Sequence, residues 1–230
     1  MKRRTNMARI EVMPLNILIQ KPPAIPKRIM DVVGAIICLT LLSPLFLLIY
    51  VFMKIVSPGP VFFKQERIGQ GGKPFLFWKF RTMKIDADTS LHEKYVVDRI
   101  KRSESKSDGE KPMNKLEKDP RIIPFGSILR NTCLDELPQL FNGQRGDMSL
   151  VGPRPPLPYE VREYAQWHMS RLDILPGMTG LWQVCGKNRL SITEMLRLDL
   201  HYAEGHSLWV DFKIRFKTPL AILNQIQDPH

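Results

Sequence analysis

Hydrophobic positions are distributed unevenly along the chain, and the densest run comes early. Residues 32–53, between Asp31 and Lys54, form a 22-residue stretch without a charged side chain. As one straight helix it would be roughly 33 Å long, about the thickness of a bilayer's hydrocarbon core. The Ser43-Pro44 pair interrupts it near the middle. Pro44 has no N–H and its ring collides with the carbonyl of Thr40, so a helix here loses a hydrogen bond and bends, unless the Ser43 or Thr40 hydroxyl serves the orphaned group. The bend leaves arms of 11 and 9 residues, each long enough for only about half a bilayer. Basic residues lie on both flanks: Lys2, Arg3, Arg4, Arg9, Lys21, Lys27 and Arg28 before, and Lys54, Lys64, Arg67 and Lys73 after. Retention of Lys and Arg in the cytoplasm pulls both flanks to one side. The pattern therefore predicts a re-entrant helical hairpin over residues 29–56 that dips into the membrane and returns, with a kinked span as the alternative. No small-x-small cleavage site follows, so a signal peptide does not fit.

The remaining pattern divides into six parts. Residues 1–28 are basic and proline-containing, with a short apolar patch at residues 17–19, and read as a tail lying on a surface. In GPVFFKQERIGQGGKPFLFWKFRTM, two aromatic-rich runs around Gly69, Gly71 and Gly72 predict a β-hairpin with a glycine turn. Residues 84–118 are dense in charge and poor in large apolar side chains, which predicts a mobile polar excursion holding a short helix near Tyr95. Order resumes at DPRIIPFGSILRNTCLDELPQLFN. Ser191 and Glu194 then make an S-x-x-E capping box for a helix ending near Ala203. Last, Trp209, Phe212, Phe216, Leu220 and Leu223 recur at three- and four-residue spacing beside Lys213, Arg215 and Lys217. That is the pattern of an interfacial amphipathic helix, or of a stripe packed into a soluble core.

Charge narrows the partners. The 230 residues carry 34 Lys+Arg against 23 Asp+Glu, a formal net charge of +11, so phosphates, lipid headgroups or nucleic acid are expected. No RRM, KH or helix-turn-helix signature accompanies the charge, which sets the nucleic-acid reading aside. Three cysteines without CxxC spacing and five histidines without HExxH spacing argue against a disulfide framework and a zinc site.

Candidate chemistry lies in CLDELPQL, where Asp135 and Glu136 are adjacent. Thr132 and Asp135 also fit a T-x-x-D capping box, in which Asp135 merely satisfies a helix end. A carboxylate is a competent phosphoryl nucleophile when cations offset its repulsion from phosphate. Lys79, Arg81, Arg121, Arg130 and Arg154 are available as such cations. On a strand Lys79 and Arg81 share one face and together could grip a diphosphate, or form a basic edge that discourages strand pairing. Arg154, in VGPRPPLP, is held by prolines in an extended backbone suited to bidentate phosphate binding; a PxxP ligand is the alternative. Cys133 is a rival nucleophile, with a small buried thiol as its simpler role.

Seven motifs in order, KRIMDVVGAIICLTLLSP, KFRTM, DPRI, LDELPQLFN, RGDMSLVGPRP, LPGMTGLWQVCGKN and SLWVDFKI, resemble the bacterial sugar transferase family, the monotopic phosphoglycosyl transferases. The resemblance covers about residues 27–223. It implies transfer of a sugar 1-phosphate from a UDP-sugar to undecaprenyl phosphate with release of UMP, using Mg²⁺, at the cytoplasmic face of the bacterial inner membrane. It implies that Asp135 attacks the sugar-bearing phosphate to form a covalent intermediate and that Asp135 and Glu136 organise the metal. Lys79, Arg154 and Asp199 are the implied substrate-binding residues, Arg81 follows by motif position and Lys187 by its place in the donor-gripping segment, and Ser43-Pro44 is the implied helix break. Two residues depart from the family pattern: Cys133 stands for the usual serine, and Lys187 stands where many relatives carry an arginine, which a lysine cannot reproduce as a bidentate donor. The expected molecule is thus mostly α-helical with a small β-hairpin, monotopic, its catalytic domain over residues 57–230. The sequence leaves the oligomeric state open and is compatible with a homo-oligomer.

Overall fold

A computed structural model describes residues 23–88, 90–104 and 119–227. The basic tail up to residue 22 and residues 105–118 of the polar excursion, with the expectations placed on them, lie outside the described residues. The helices are α1 (Ile25–Val56), α2 (Ser90–Glu104), α3 (Gly126–Asn131), α4 (Gln139–Arg145), α5 (Pro158–Arg162), α6 (Gln166–Met169), α7 (Leu181–Cys185), α8 (Ile192–Gly205) and α9 (Leu208–Gln227). The strands are β1 (Phe62–Ile68), β2 (Pro74–Phe80), β3 (Ser149–Val151) and β4 (Gly177–Thr179). The molecule is mostly helical with two small sheets, as expected.

Helix α1 begins at Ile25, earlier than the expected 29, with Pro26 in its first turn where a missing N–H costs nothing. It remains helical through Pro44 over 32 residues rather than breaking into two separate arms. The reason is local: the Ser43 hydroxyl donates to the Thr40 carbonyl at 2.8 Å, the acceptor that Pro44 cannot serve, and Thr40 Oγ1 donates to Ile36 O at 2.9 Å. Both ends of α1 pack on the same body. Toward the start Lys27, Asp31 and Ala35 are buried, at four-residue spacing; toward the end Ile49 and Met53 are. Between and around them Val33, Ile36, Ile37, Leu41, Leu47 and Leu48 stand exposed.

Two cores receive these ends. Ile49 and Met53 pack with Val61, Phe80, Ile123 and Leu129, and burying each of the two contributes roughly 1.5–3 kcal/mol. The second core joins Val151, Ile174, Tyr202, Ala203 and Ile214. Beside it Lys27 donates to Asp211 at 2.5 Å and to Val151 O at 3.1 Å, while Arg215 and Ser149 both donate to Asp31 at 2.6 Å.

The predicted β-hairpin forms, β1 pairing antiparallel with β2 from Phe62↔Phe80 to Ile68↔Pro74. Gly71 and Gly72 adopt φ of 66° and 72° in the turn, a region open to glycine at little cost. Cross-strand partners share a face, so Arg67, Phe75, Phe77, Lys79 and Phe63 lie on one side and Lys64, Trp78, Phe62 and Phe80 on the other. In the second sheet β3 and β4 run parallel, and their backbones pass so closely that a Cβ on Gly177 would lie 1.9 Å from Gly152 N.

The Ser191–Glu194 capping box forms as predicted, Glu194 N donating to Ser191 Oγ at 3.2 Å and Ser191 N to Glu194 Oε2 at 2.8 Å. The polar excursion carries a helix of 15 residues, α2, longer than the short one expected. On α9 the stripe Trp209, Phe212, Phe216, Leu220 and Leu223 is exposed, while Asp211, Ile214 and Gln225 turn inward. The soluble-core alternative for that stripe is thereby excluded within this chain.

Candidate active site

The turn that carries the two carboxylates starts from an unusual backbone. Helix α3 stops at Asn131, and Cys133 adopts the left-handed region at φ 56°, so the chain turns into a single 3₁₀ turn over Leu134–Glu136. The T-x-x-D cap does not form, because Thr132 Oγ1 donates back to Ile128 O at 2.7 Å. Relieved of capping, Asp135 is buried at 7 % exposure while Glu136 is half-buried.

Cations approach this pair from several elements: Lys79 and Arg130 act on Asp135, Arg67 lies near enough to Glu136 to feel its charge, and Arg154 stands beside Lys79 and Arg67. Lys79 comes from β2, Arg67 from β1 and Arg154 from the proline-rich segment after β3. Burial, reinforced by the neighbouring Glu136 charge, pushes the Asp135 carboxyl up to about 7, with Lys79 and Arg130 pulling the other way. Burial likewise holds Lys79 below the usual lysine range, opposed by Asp135 and Glu136 and assisted by Arg67 and Arg154. Arg67 is drawn down to about 10 by burial and then by the neighbouring Arg154. Among the described residues no ion pair joins Asp135 or Glu136 to any of these cations. The charges are near enough to feel one another and are not consumed in pairing.

Arg154 itself is exposed while its backbone is fixed from two sides. Arg67 donates to Pro155 O at 2.9 Å and Ile68 N to Pro156 O at 2.9 Å. From behind, Arg171 donates to Arg154 O at 2.7 Å, to Tyr164 Oη at 2.8 Å and to Asp199 Oδ2 at 2.5 Å. Burial pushes Asp199 up to about 6, opposed first by Arg171 and then by a hydrogen bond from the Arg154 backbone. At 1 % exposure Asp199 faces no solvent. Its carboxylate is paired with Arg171, which also holds the Arg154 backbone, so the structure places Asp199 behind Arg154.

Two other expected residues lie differently. Arg81 falls just beyond β2, and its guanidinium donates to Ser57 O at 2.5 Å and Pro58 O at 3.2 Å, clamping the end of α1. Its backbone N–H still donates to Val61 O at 2.9 Å, yet its guanidinium is taken up by Ser57 and Pro58 and not by the carboxylate turn. Lys187, at φ 44°, donates to Cys133 Sγ at 3.2 Å and so sits beside the carboxylate turn. Burial raises the Cys133 thiol above its usual range, Lys187 opposing, which suits a packed thiol rather than a nucleophile. Sequence reasoning missed Arg67 and Arg171. Strand parity could have found Arg67, since it shares a face with Lys79; no local signal marks Arg171.

Asp135 and Glu136 supply the hard oxygen donors of the site. Among the described residues there is no cluster of three or more His, Cys, Asp or Glu. Mg²⁺ commonly uses one or two carboxylates and completes its shell with water and a ligand's phosphates. Asp135 is raised first by burial and then by the Glu136 charge; a divalent cation between the two carboxylates would relieve their repulsion, so the pair fits such an ion.

A model of the family described as bacterial sugar transferase matches residues 23–225. The chain is 41 % identical to the exopolysaccharide production protein ExoY of Sinorhizobium fredii over 86 % of its own length and 85 % of that protein. It is 40 % identical to the undecaprenyl-phosphate galactose phosphotransferase of Salmonella typhimurium over 94 % of this chain and 44 % of that one. It is 37 % identical to the UDP-glucose:undecaprenyl-phosphate glucose-1-phosphate transferase of Escherichia coli over 84 % of this chain and 39 % of that one.

Proposed function

The chain belongs to the bacterial sugar transferase family, and from that premise we propose that it transfers a sugar 1-phosphate from a UDP-sugar to undecaprenyl phosphate, releasing UMP, in the building of an exopolysaccharide or related glycan. The relatives named above support the substrates. The observation that carries the chemistry is Asp135: a buried carboxylate beside Glu136, influenced by Lys79 and Arg130 and ion-paired with neither, with Arg67 and Arg154 next to Lys79.

In the first step an Asp135 carboxylate oxygen attacks the phosphorus that bears the sugar. The Oδ–P bond forms and the P–O bond to UMP breaks, its electron pair leaving on the UMP oxygen. In the second step an oxygen of undecaprenyl phosphate attacks the same phosphorus and the Oδ–P bond breaks, restoring the carboxylate and leaving the sugar on a lipid diphosphate. Lys79 and Arg154 hold the donor's phosphates and offset the negative charge that would otherwise repel Asp135. Arg67, Arg171 and Asp199 keep Arg154 aimed. Mg²⁺ held by Asp135 and Glu136 would supply charge neutralisation at the diphosphate.

The membrane placement follows from α1, which is long and apolar enough to cross a bilayer. Lys27 and Met53 lie 26 residues apart and pack on one body, so a straight crossing would have to put one body on both sides of the bilayer. That supports a re-entrant, monotopic anchor with the site on the cytoplasmic face of the inner membrane. The exposed stripe of α9, with Trp209 stacked on Phe212 and Lys213 over the indole, suits the same interface.

The deciding experiment incubates the detergent-solubilised chain with Mg²⁺, undecaprenyl phosphate and a panel of UDP-sugars and measures UMP. The expected result is Mg²⁺-dependent UMP release with one or a few donors. With donor alone, intact-mass measurement is expected to show a phosphosugar adduct on the native chain and none on Asp135→Asn. UMP release from no donor, or undiminished release by Asp135→Asn, would refute the mechanism.

A further inference from the structure

We propose that the face of the β-hairpin opposite Arg67 and Lys79 is a binding site for the phosphate of an anionic phospholipid, built from Lys64, Trp78 and Arg145. The inference rests on the reading that the chain lies on a bilayer.

Lys64 and Trp78 are direct cross-strand partners, and Lys64 Nζ lies 4.3 Å from the centroid of the indole. Arg145, at the end of α4, brings its guanidinium to 5.2 Å from the same ring. Each cation is attracted by the ring, and both belong to exposed residues, so the ring gathers two solvent-facing positive charges that an anion can engage. The acidic groups nearby do not perform that task. Glu66 lies one face position further toward the turn, opposite Leu76, and Asp147 accepts from Asn142 Nδ2 at 3.1 Å.

The platform is rigid. Fully buried Asn142 accepts from Trp78 N at 3.2 Å and donates to Leu76 O at 2.7 Å, binding the outer edge of β2 to α4. Phe141 contacts both Trp78 and Phe46 of α1, which makes the patch continuous with the apolar helix.

Depth selects the occupant. Arg28 precedes the uncharged stretch and therefore marks the headgroup level. Its guanidinium donates to Gly143 O at 2.6 Å and Gln144 O at 2.8 Å, the two residues before Arg145. Arg145 is thus held at the level of lipid phosphates, with the ring of Trp78 beside it, as aromatic residues favour at such a boundary. The acceptor's phosphate must reach Asp135, which faces the other side of the ribbon, so the occupant is a phospholipid and not the acceptor.

The test floats the full-length chain on phosphatidylcholine vesicles and on vesicles in which one third of that lipid is phosphatidylglycerol. The native chain is expected to bind both and to prefer the anionic ones. Lys64→Gln/Arg145→Gln is expected to lose roughly tenfold or more of its affinity for anionic vesicles while retaining its affinity for neutral ones. Lys94→Gln/Lys101→Gln, which removes the same charge from α2, is expected to bind like the native chain. Equal loss in both double variants, or none in the first, overturns the site. A raised KM for undecaprenyl phosphate in neutral detergent in the first variant would assign the patch to the acceptor and also overturns it. Binding to neither vesicle refutes the membrane reading itself, whereas equal binding to both refutes only the phospholipid site.

Discussion

Two groups of buried charge are built from the same residue types and end in opposite conditions. At the junction of α1 with α9, Lys27 pairs with Asp211 and Arg215 with Asp31, while the Tyr202 hydroxyl donates to Asp211 at 2.5 Å. Each charge there has a partner within hydrogen-bond reach, and the group acts as a fastener between the membrane helix and the body. Around Asp135 the charges are close enough to displace one another's titration, yet Asp135 and Glu136 form no ion pair among the described residues. Paired charges hold a fold together, whereas charges kept near and unpaired retain the capacity to act on an incoming phosphate. The contrast predicts that mutation should separate stability from turnover according to which group is touched.

The largest effect is expected from Asp135→Asn. Removing a covalent nucleophile typically costs roughly four to six orders of magnitude in kcat, read here as UMP release. The same change should leave the melting temperature equal or higher, because burial and Glu136 already disfavour the ionised form. A large loss of stability would place Asp135 with the fastening charges and break the distinction.

The mirror experiment is Asp211→Asn. It leaves the Lys27 ammonium with only Asp31, at 4.0 Å, as a carboxylate partner in a site where Asp211 is fully buried, and breaking a buried pair from one side costs up to about 3–5 kcal/mol. Denaturant unfolding in detergent should report that loss, while UMP release per folded molecule stays near the native value. Lys27→Met/Asp211→Leu is expected to recover most of the stability, since the penalty comes from the stranded charge rather than from the missing bond.

What the sequence made legible was local. The glycine-turned hairpin and the Ser191–Glu194 cap each depend on residues a few positions apart, and each formed; the apolar stretch formed a helix too, but one that runs unbroken through its proline. The failures share a different cause. Thr132 loses its capping role as Cys133 turns left-handed, and the Arg81 guanidinium is drawn to the Ser57 and Pro58 carbonyls across the end of α1. Arg171 reaches Arg154 across 17 positions of sequence, a contact set by the close passage of Gly152 past Gly177 rather than by any short motif. Lys27 reads locally as one more basic residue in a flank, and its burial depends on Asp211, far along the chain.

Arg171→Lys probes the boundary between the two conditions, because Arg171 is paired like a fastener and stands directly behind the site. A lysine cannot reach Tyr164, Arg154 and Asp199 together with the same fork. Losing one charge-assisted bond to the Arg154 backbone should raise the donor KM by about tenfold, on the order of 1–2 kcal/mol, with kcat changed less. A purely structural role would instead lower the folded fraction and leave KM alone. Measuring KM and kcat beside the melting temperature distinguishes the two.

The smallest expected effect is a pH dependence of opposite sign at two buried groups near this boundary. His168 is fully buried, accepts from Ala165 N at 3.0 Å, and is drawn down to about 4 by burial and then by Arg171. A lowered histidine contributes stability above its ordinary value near 6.5 and loses it as pH falls through about 4, because the unfolded chain binds the proton first. Asp199 runs the other way: raised to about 6, it favours the folded state below its ordinary value near 3.8, and that contribution is lost as pH rises through about 6. In the native chain the two slopes oppose each other between pH 4 and 6. His168→Asn should therefore leave a chain whose melting temperature falls more steeply with rising pH across that window than the native chain's. The difference in stability between the two proteins should change by about 1–2 kcal/mol from pH 7 to pH 5. If the two melting curves shift in parallel, His168 is not held neutral by burial, and the electrostatic influence of Arg171 stops short of it.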